Sequence, residues 1–140
     1  MCLMTKQHRL IKADKDIIVY KILRRTKTGL YTTIYTETPI PTLEVKGDAP
    51  FKAIENVIFR HYHGYYCISE GVIHTFATLD AALKEKTLFL DKTEYEIFRC
   101  VIPKGTMYVM GIRNDCASEE IVFKKRISNF RIKVYKLFNL

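Results

Sequence analysis

Short runs rich in β-branched and aromatic residues recur along the chain, separated by glycine, proline and asparagine. The densest run covers residues 16–23, and a second covers residues 30–35 after a turn that ends at Gly29. Residues of these types suit a pleated, packed strand, so the two runs predict a hairpin. Further strands are predicted over residues 56–61, 65–69, 71–76, 94–102, 106–112 and 118–123.

A single short helix is predicted at about residues 78–86. Thr78 is expected to be its N-cap, because a threonine hydroxyl accepts a hydrogen bond from the first turn. Leu79, Ala82 and Leu83 follow at spacings of three and four, which places them on one face. The predicted fold class is therefore α+β: a mostly antiparallel, curled sheet or partial barrel with one short helix.

The length of 140 residues fits a single domain that spans residues 1–140. Residues 1–15 are predicted to form a polar N-terminal arm. Residues 124–140 are predicted to form a basic C-terminal strand, because apolar and polar residues alternate over residues 130–135 with the period of two of a half-buried strand.

Six cations define the basic surface of this C-terminal segment. They are Lys124, Lys125, Arg126, Arg131, Lys133 and Lys136. The segment contains no carboxylate, so a row of cations there could follow a phosphate backbone or meet an acidic partner protein. It could equally keep an edge strand from pairing with other chains. Both interpretations stay open at this stage.

The charge balance favours anionic partners. The 23 Lys and Arg residues outnumber the 15 Asp and Glu residues, which gives a formal net charge of +8. A positive field raises the local concentration of anions and speeds their encounter. We therefore expect a small anionic ligand or an acidic partner protein, with nucleic acid as a further alternative and a homo-oligomer left open.

The four cysteines are widely spaced and include no Cys-x-x-Cys pair. The N-terminus lacks a long apolar core for export, so a reducing, cytoplasmic location is predicted. Cys67 and Cys100 lie in apolar runs, where free thiols are expected to behave as small buried hydrophobic groups. No stretch reaches the roughly 18 apolar residues of a membrane-spanning helix, so no membrane association is predicted.

The densest aromatic and histidine cluster lies in the middle of the chain and predicts a ligand site. Its candidate residues, with one lysine from a later turn, are Arg60, His61, His63, Tyr65, Tyr66, His74 and Lys104. Tyrosine and histidine rings stack on bases while an arginine supplies charge for phosphate. The alternative is structural, since half-exposed histidines and tyrosines are also ordinary cross-strand partners in a hairpin.

The same cluster raises the question of a metal. If residues 60–63 are extended, His61 and His63 project to one face, an arrangement that metals accept. No Glu-x-x-His helix or cysteine pair accompanies them, so no metal site is predicted.

Catalysis is weakly indicated. No serine lies in a nucleophile-elbow context, and the paired carboxylates are typical of solvated strand edges. The turn at Pro103, Lys104 and Gly105 is predicted to connect a hairpin and requires no chemistry. No catalytic residue and no cofactor is predicted, and the balance leans against an enzyme.

Several stretches resemble a family of short, uncharacterised proteins of gut anaerobes and their phages and prophages. The resembling residues are Met1-Cys2-Leu3 with Thr5-Lys6-Gln7, Val19-Tyr20-Lys21, Ile68 through Gly71 to His74 with Phe76, Cys100 to Tyr108 with Gly111, and Ala117-Ser118 before Ile121. In that family the central motif is Gly-Phe-His, followed by a small residue and an aromatic one. Here Val72 and Ile73 both lie between Gly71 and His74, which is one residue more than in that motif. The resemblance implies an accessory protein of a phage or mobile element and supplies no activity.

Three functional hypotheses follow. The first is a non-catalytic binding protein for a small anionic ligand, such as a nucleotide or nucleotide-derived signal, used in phage counter-defence. The second is a small transferase or hydrolase that acts on nucleotides or RNA. The third is a basic adaptor or inhibitor that binds an acidic host protein.

Overall fold

The computed structural model describes residues 2–34, 37–41, 45–46, 48–89 and 94–139. Its strands are β1 Leu3–Thr5, β2 Ile11–Lys12, β3 Ile17–Arg25, β4 Tyr31–Thr33, β5 Pro39–Ile40, β6 Phe51–Lys52, β7 Arg60–Tyr62, β8 Tyr65–Ile68, β9 Ile73–Phe76, β10 Tyr95–Ile102, β11 Met107–Met110, β12 Asp115–Ser118 and β13 Glu120–Arg126. Its helices are α1 Leu79–Lys86 and α2 Asn129–Asn139.

Ten of these strands form one large antiparallel sheet, which confirms the predicted α+β class. Its main path runs β2, β11, β12, β9, β3, β10, β13, β6, with β4 and β5 attached through β3. The two ends of this path, β2 and β6, do not pair with each other in the described residues, so the sheet stays open. Strands β1, β8 and β7 form a separate three-stranded sheet.

Strand β3 is central because it carries apolar side chains on both faces. Val19 and Leu23 belong to one core with Phe98, Cys100 and Phe123. The opposite face forms the helix-side core, whose buried members are Ile22, Phe76, Ala82, Leu83, Ile97, Ile127 and Ile132. Apolar runs of this kind on both faces are expected of a strand that is covered on each side.

Helix α1 confirms the helix prediction. The Thr78 hydroxyl accepts a hydrogen bond from the Ala81 backbone N–H at 3.1 Å, as an N-cap does. Ala82 and Leu83 are buried in the helix-side core, while Lys84 and Asp80 form an ion pair of 3.3 Å on the exposed side. The described helices include none that is long and apolar enough to cross a membrane.

The predicted polar arm over residues 1–15 is wrong. Strand β1 pairs with β8, and Leu3 is fully buried in a small core with Ile68. Strand β2 pairs with β11. The N-terminal segment is ordered because its few apolar side chains pack between the two sheets. A strand of only three residues can form here because long-range pairing supports it.

A disulfide joins Cys2 to Cys67, with the two Cα atoms 6.0 Å apart. The prediction of a free thiol at Cys67 is therefore wrong. Cys100 is a free, buried thiol, as predicted. The spacing of the cysteines does not indicate this disulfide, because it forms only when β1 pairs with β8 and brings together residues that are 65 positions apart.

The predicted C-terminal strand is also wrong. Strand β13 ends at Arg126, and α2 follows after a turn in which the Ser128 hydroxyl accepts a hydrogen bond from the Arg131 N–H. Ile132 is buried and Tyr135 packs beside it. Their spacing of three fits one face of a helix, just as the alternation of apolar and polar residues over residues 130–135 fits a strand. Packing on the helix-side core favours the helix over the strand.

The turn at residues 103–105 is present but does not connect a hairpin. Strand β10 pairs with β3 and β13, whereas β11 pairs with β2 and β12. The Gly105 N–H donates to the Ala13 carbonyl at 2.8 Å, and the Ala13 N–H donates to Thr106 at 2.9 Å. The N-terminal segment thus lies where the partner strand of a hairpin would lie.

Candidate functional site

A cavity of about 310 Å³ opens where the large sheet forks at β3. Strand β10 pairs along one edge of β3 over the whole register from Ile17 to Arg24. On the other edge, β9 pairs with Tyr20 and β4 pairs from Leu23 onward. Lys21 and Ile22 lie between these two partners, at the base of the fork. We call this cavity the Lys21 crevice.

The walls of the Lys21 crevice come from four segments and one further residue, Thr38. The segments are the end of β4 with Thr33 and Ile34, β9 with Ile73, His74 and Phe76, the segment of residues 51–55, and the segment of residues 69–72. Apolar side chains make up most of this lining, which is typical of small-molecule sites. Lys52, Glu55 and Glu70 are exposed at the rim, where Lys52 is paired with Glu120 at 3.5 Å.

Lys21 is the unusual group of this crevice. Only 7% of the residue is exposed, and its Nζ donates a hydrogen bond of 2.8 Å to the His74 carbonyl. No carboxylate of the described residues lies within ion-pair distance of it. Burial lowers the pKa of Lys21 from 10.5 to about 8, although the nearby Cys100 acts in the opposite direction. The amine is thus mostly protonated at pH 7, without a counter-charge.

His74 lies beside this lysine with one ring nitrogen unpaired. Its Nε2 is 3.4 Å from the Ser69 carbonyl, while its Nδ1 is buried without a hydrogen-bond partner. Burial and then the charge of Lys21 lower the pKa of His74 to about 4, so the ring is neutral at pH 7. When Nε2 donates to Ser69, Nδ1 is left as an acceptor.

The Lys21 ammonium sets the charge of a ligand that the crevice can bind. A buried ammonium without a counter-charge is costly and is compensated when an anion enters. The His74 Nδ1 also lacks a partner, but it has almost no exposed surface, so a ligand does not reach it in this arrangement. The crevice therefore suits a ligand that carries one negative charge and an apolar body.

The seven predicted ligand residues do not converge. His74 alone lines the Lys21 crevice. Lys104 is exposed and lines a second, more polar cavity of about 630 Å³ with Lys52, Glu119 and Glu120. The other five belong to the β7–β8 hairpin of the small sheet.

That hairpin also splits its own candidates. His61 is opposite Tyr66 in the register, while Arg60 is opposite Cys67. Since neighbours along a strand point to opposite faces, Arg60 and His61 lie on different sides of the ribbon. The rings of His61 and Tyr66 meet edge to face at 5.5 Å, a packing contact of cross-strand partners.

His63 does not share a face with His61, because residues 60–63 are not extended throughout. His63 and Gly64 both have positive φ, 46° and 82°, and form the two-residue turn of the hairpin. In the described residues, no group of three or more His, Cys, Asp or Glu side chains is placed to hold a metal ion.

Sequence reasoning missed Lys21, the residue that defines the site. Its signal was present: it is the one charged residue inside the apolar run from Ile17 to Leu23. A lysine in the middle of a strand that is buried on both faces needs an explanation, since lysine is seldom fully buried without a partner.

The chain was compared with protein-family models, with curated proteins and with solved structures, and none of the three comparisons gave a match.

Proposed function

We propose that this protein binds a small anionic ligand in the Lys21 crevice without transforming it. The observation that carries the proposal is Lys21, a buried residue that lines the cavity and whose ammonium lacks a carboxylate partner in the described residues. An anion in the crevice would supply the missing counter-charge. The net charge of +8 would raise the local concentration of such ligands.

A nucleotide-derived ligand with a single negative charge fits this chemistry best. One buried cation balances one charge, so a phosphodiester, as in a cyclic mononucleotide, suits the site better than a doubly charged terminal phosphate. Phe51 and Phe76 offer apolar surface for a base.

The test is a thermal-shift and calorimetric screen of mono-, di- and cyclic nucleotides, with inorganic phosphate and acetate as simple anions. A ligand at about 100 times its Kd should stabilise the protein by about 2.7 kcal/mol. Lys21→Met keeps the aliphatic stem and removes the charge. It should weaken binding at least about tenfold, because a hydrogen bond to a charged group contributes about 1.5 to 3 kcal/mol.

Lys104→Met is the matched control, since Lys104 is exposed outside the crevice and should leave affinity unchanged. The proposal fails if no ligand of the panel binds. It also fails if Lys104→Met weakens binding as much as Lys21→Met does.

The biological setting is part of the same proposal. The resemblance to phage and prophage proteins suggests a counter-defence role, in which the protein sequesters a nucleotide signal in the cytoplasm. The Cys2–Cys67 disulfide is more typical of oxidising compartments. Alkylation of thiols in intact cells that express the chain distinguishes a cytoplasmic location from an oxidising compartment. Labelling of Cys2 and Cys67 would support the cytoplasmic location, and protection of both would contradict it.

A further inference from the structure

Helix α2 has apolar side chains on two sides. Ile132 is buried in the helix-side core and Tyr135 packs against that core. Leu137 and Phe138 are 74% and 79% exposed, and Val134 is 38% exposed. With 100° per residue, these three lie on the part of the helix that faces away from Ile132. The helix therefore needs one apolar side for the fold and presents a second one to the surroundings.

Two cations flank this outer side. With 100° per residue, Lys133 lies next to Leu137 and Arg131 next to Phe138 around the helix. Both are exposed, as are Lys125 on β13 and Lys136 nearer the buried side, and none of the four forms an ion pair with a described residue. The other two members of the basic segment are neutralised: Lys124 pairs with Asp48 at 3.7 Å and Arg126 with Glu96 at 3.5 Å. The sequence contains no carboxylate from residue 124 to residue 140.

We propose that the outer side of α2 binds the surface of an anionic phospholipid bilayer, with Leu137 and Phe138 inserted between the headgroups. A basic helix with exposed leucine and phenylalanine has the composition of helices that lie in the membrane interface. The unpaired cations match the negative potential of such a surface. This proposal is independent of the Lys21 crevice.

A lipid surface fits this patch better than a folded protein partner does. A specific protein interface needs about 800 Å² on each side, with a packed apolar centre. Here two side chains, 74% and 79% exposed, project from the convex surface of a helix, and neither lines the Lys21 crevice or the second cavity. Headgroups can close around isolated side chains, whereas a rigid protein surface must be shaped to receive them.

The test is co-sedimentation of the full chain with vesicles of phosphatidylcholine alone or with about one-third phosphatidylglycerol. We expect binding to the mixed vesicles only, and weaker binding as salt rises. Leu137→Ser with Phe138→Ser should reduce the partition coefficient at least about tenfold. Arg131→Gln with Lys133→Gln should reduce it by about fivefold for each charge.

Leu30→Ser is the matched control. Leu30 is 54% exposed in the turn before β4, lines neither cavity and does not belong to the helix-side core. Its replacement should leave vesicle binding unchanged, and far-ultraviolet circular dichroism checks that each variant is folded.

Three results would overturn the proposal. The first is absence of binding to mixed vesicles, and the second is equal binding to neutral ones. The third is a dimer in light scattering without lipid that dissociates on Leu137→Ser with Phe138→Ser, since the outer side of α2 would then be an interface between copies of the chain.

Discussion

Replacing Lys21 with methionine is expected to stabilise the unliganded protein while it weakens anion binding. The pKa of this amine is lowered by burial from 10.5 to about 8. At 1.36 kcal/mol per unit, the folded state at pH 7 carries a cost of about 3 kcal/mol for keeping the group charged. The hydrogen bond of the charged amine to the His74 carbonyl is lost in the variant, which offsets about 2 kcal/mol. A net gain of about 1 kcal/mol should remain.

The sign of the pH dependence follows from the lowered pKa. The unfolded chain binds this proton more tightly than the folded chain, so wild-type stability rises with pH in the region between the two pKa values. The cost is fully present below about pH 8 and is relieved as pH increases from 8 towards 10.5. Between about pH 6 and about pH 9, wild type should gain about 1 kcal/mol relative to Lys21→Met.

Urea unfolding of both proteins at several pH values, in buffers without phosphate, measures this difference. The range ends at pH 9 because burial raises the pKa values of the Cys100 and Cys116 thiols to about 12, and their ionisation on unfolding opposes the effect at higher pH. Lys104→Met, at an exposed site, should show no such slope. A constant difference between wild type and Lys21→Met from pH 6 to pH 9 would refute the reasoning.

Three further predictions concern stability, each measured as the free energy of unfolding in urea. Gly71→Ala should cost about 3 kcal/mol or more, because Gly71 has a φ of 74° and a Cβ there would overlap the main chain of Asn56. Gly29→Ala, with similar φ and open space, should cost only about 1 kcal/mol; equal losses would contradict the clash. Cys2→Ser should cost about 4 kcal/mol without reductant, and dithiothreitol should abolish the difference from wild type. Thr78→Ala should cost about 1 kcal/mol through loss of the N-cap, and an unchanged midpoint would contradict that role.

Local signals predicted the hairpin of β3 with β4 and helix α1, whereas the strand predicted over residues 56–61 is present only from Arg60. The hairpin of β3 with β4 was foreseen because a turn ending at Gly29 separates two β-rich runs, and the structure pairs Leu23 with Thr33. Helix α1 was foreseen from the Thr78 cap and its apolar spacing. In both cases residues close in sequence decide the structure.

The two ends of the chain were mispredicted because distant partners decide them. Strand β1 exists only through its pairing with β8, and α2 through the packing of Ile132 on the helix-side core. The site was missed for a related reason. The aromatic and histidine residues near His61 are adjacent in sequence but face different sides of a hairpin. Lys21 and His74 are 53 residues apart and meet only when the sheet forms.

At the fork, the charged residue of the crevice lies on β3, whereas most of the other lining residues belong to other segments. Lys21 lies on a strand that pairs with β10 from Ile17 to Arg24, whereas part of the lining belongs to β4 and β9, which pair with β3 at different points. Substitutions in that part of the lining can therefore change the width and surface of the opening while Lys21 keeps its place. Under the proposed function, a few changes at Ile34 or Phe76 would alter which ligand fits, without a change in the sheet.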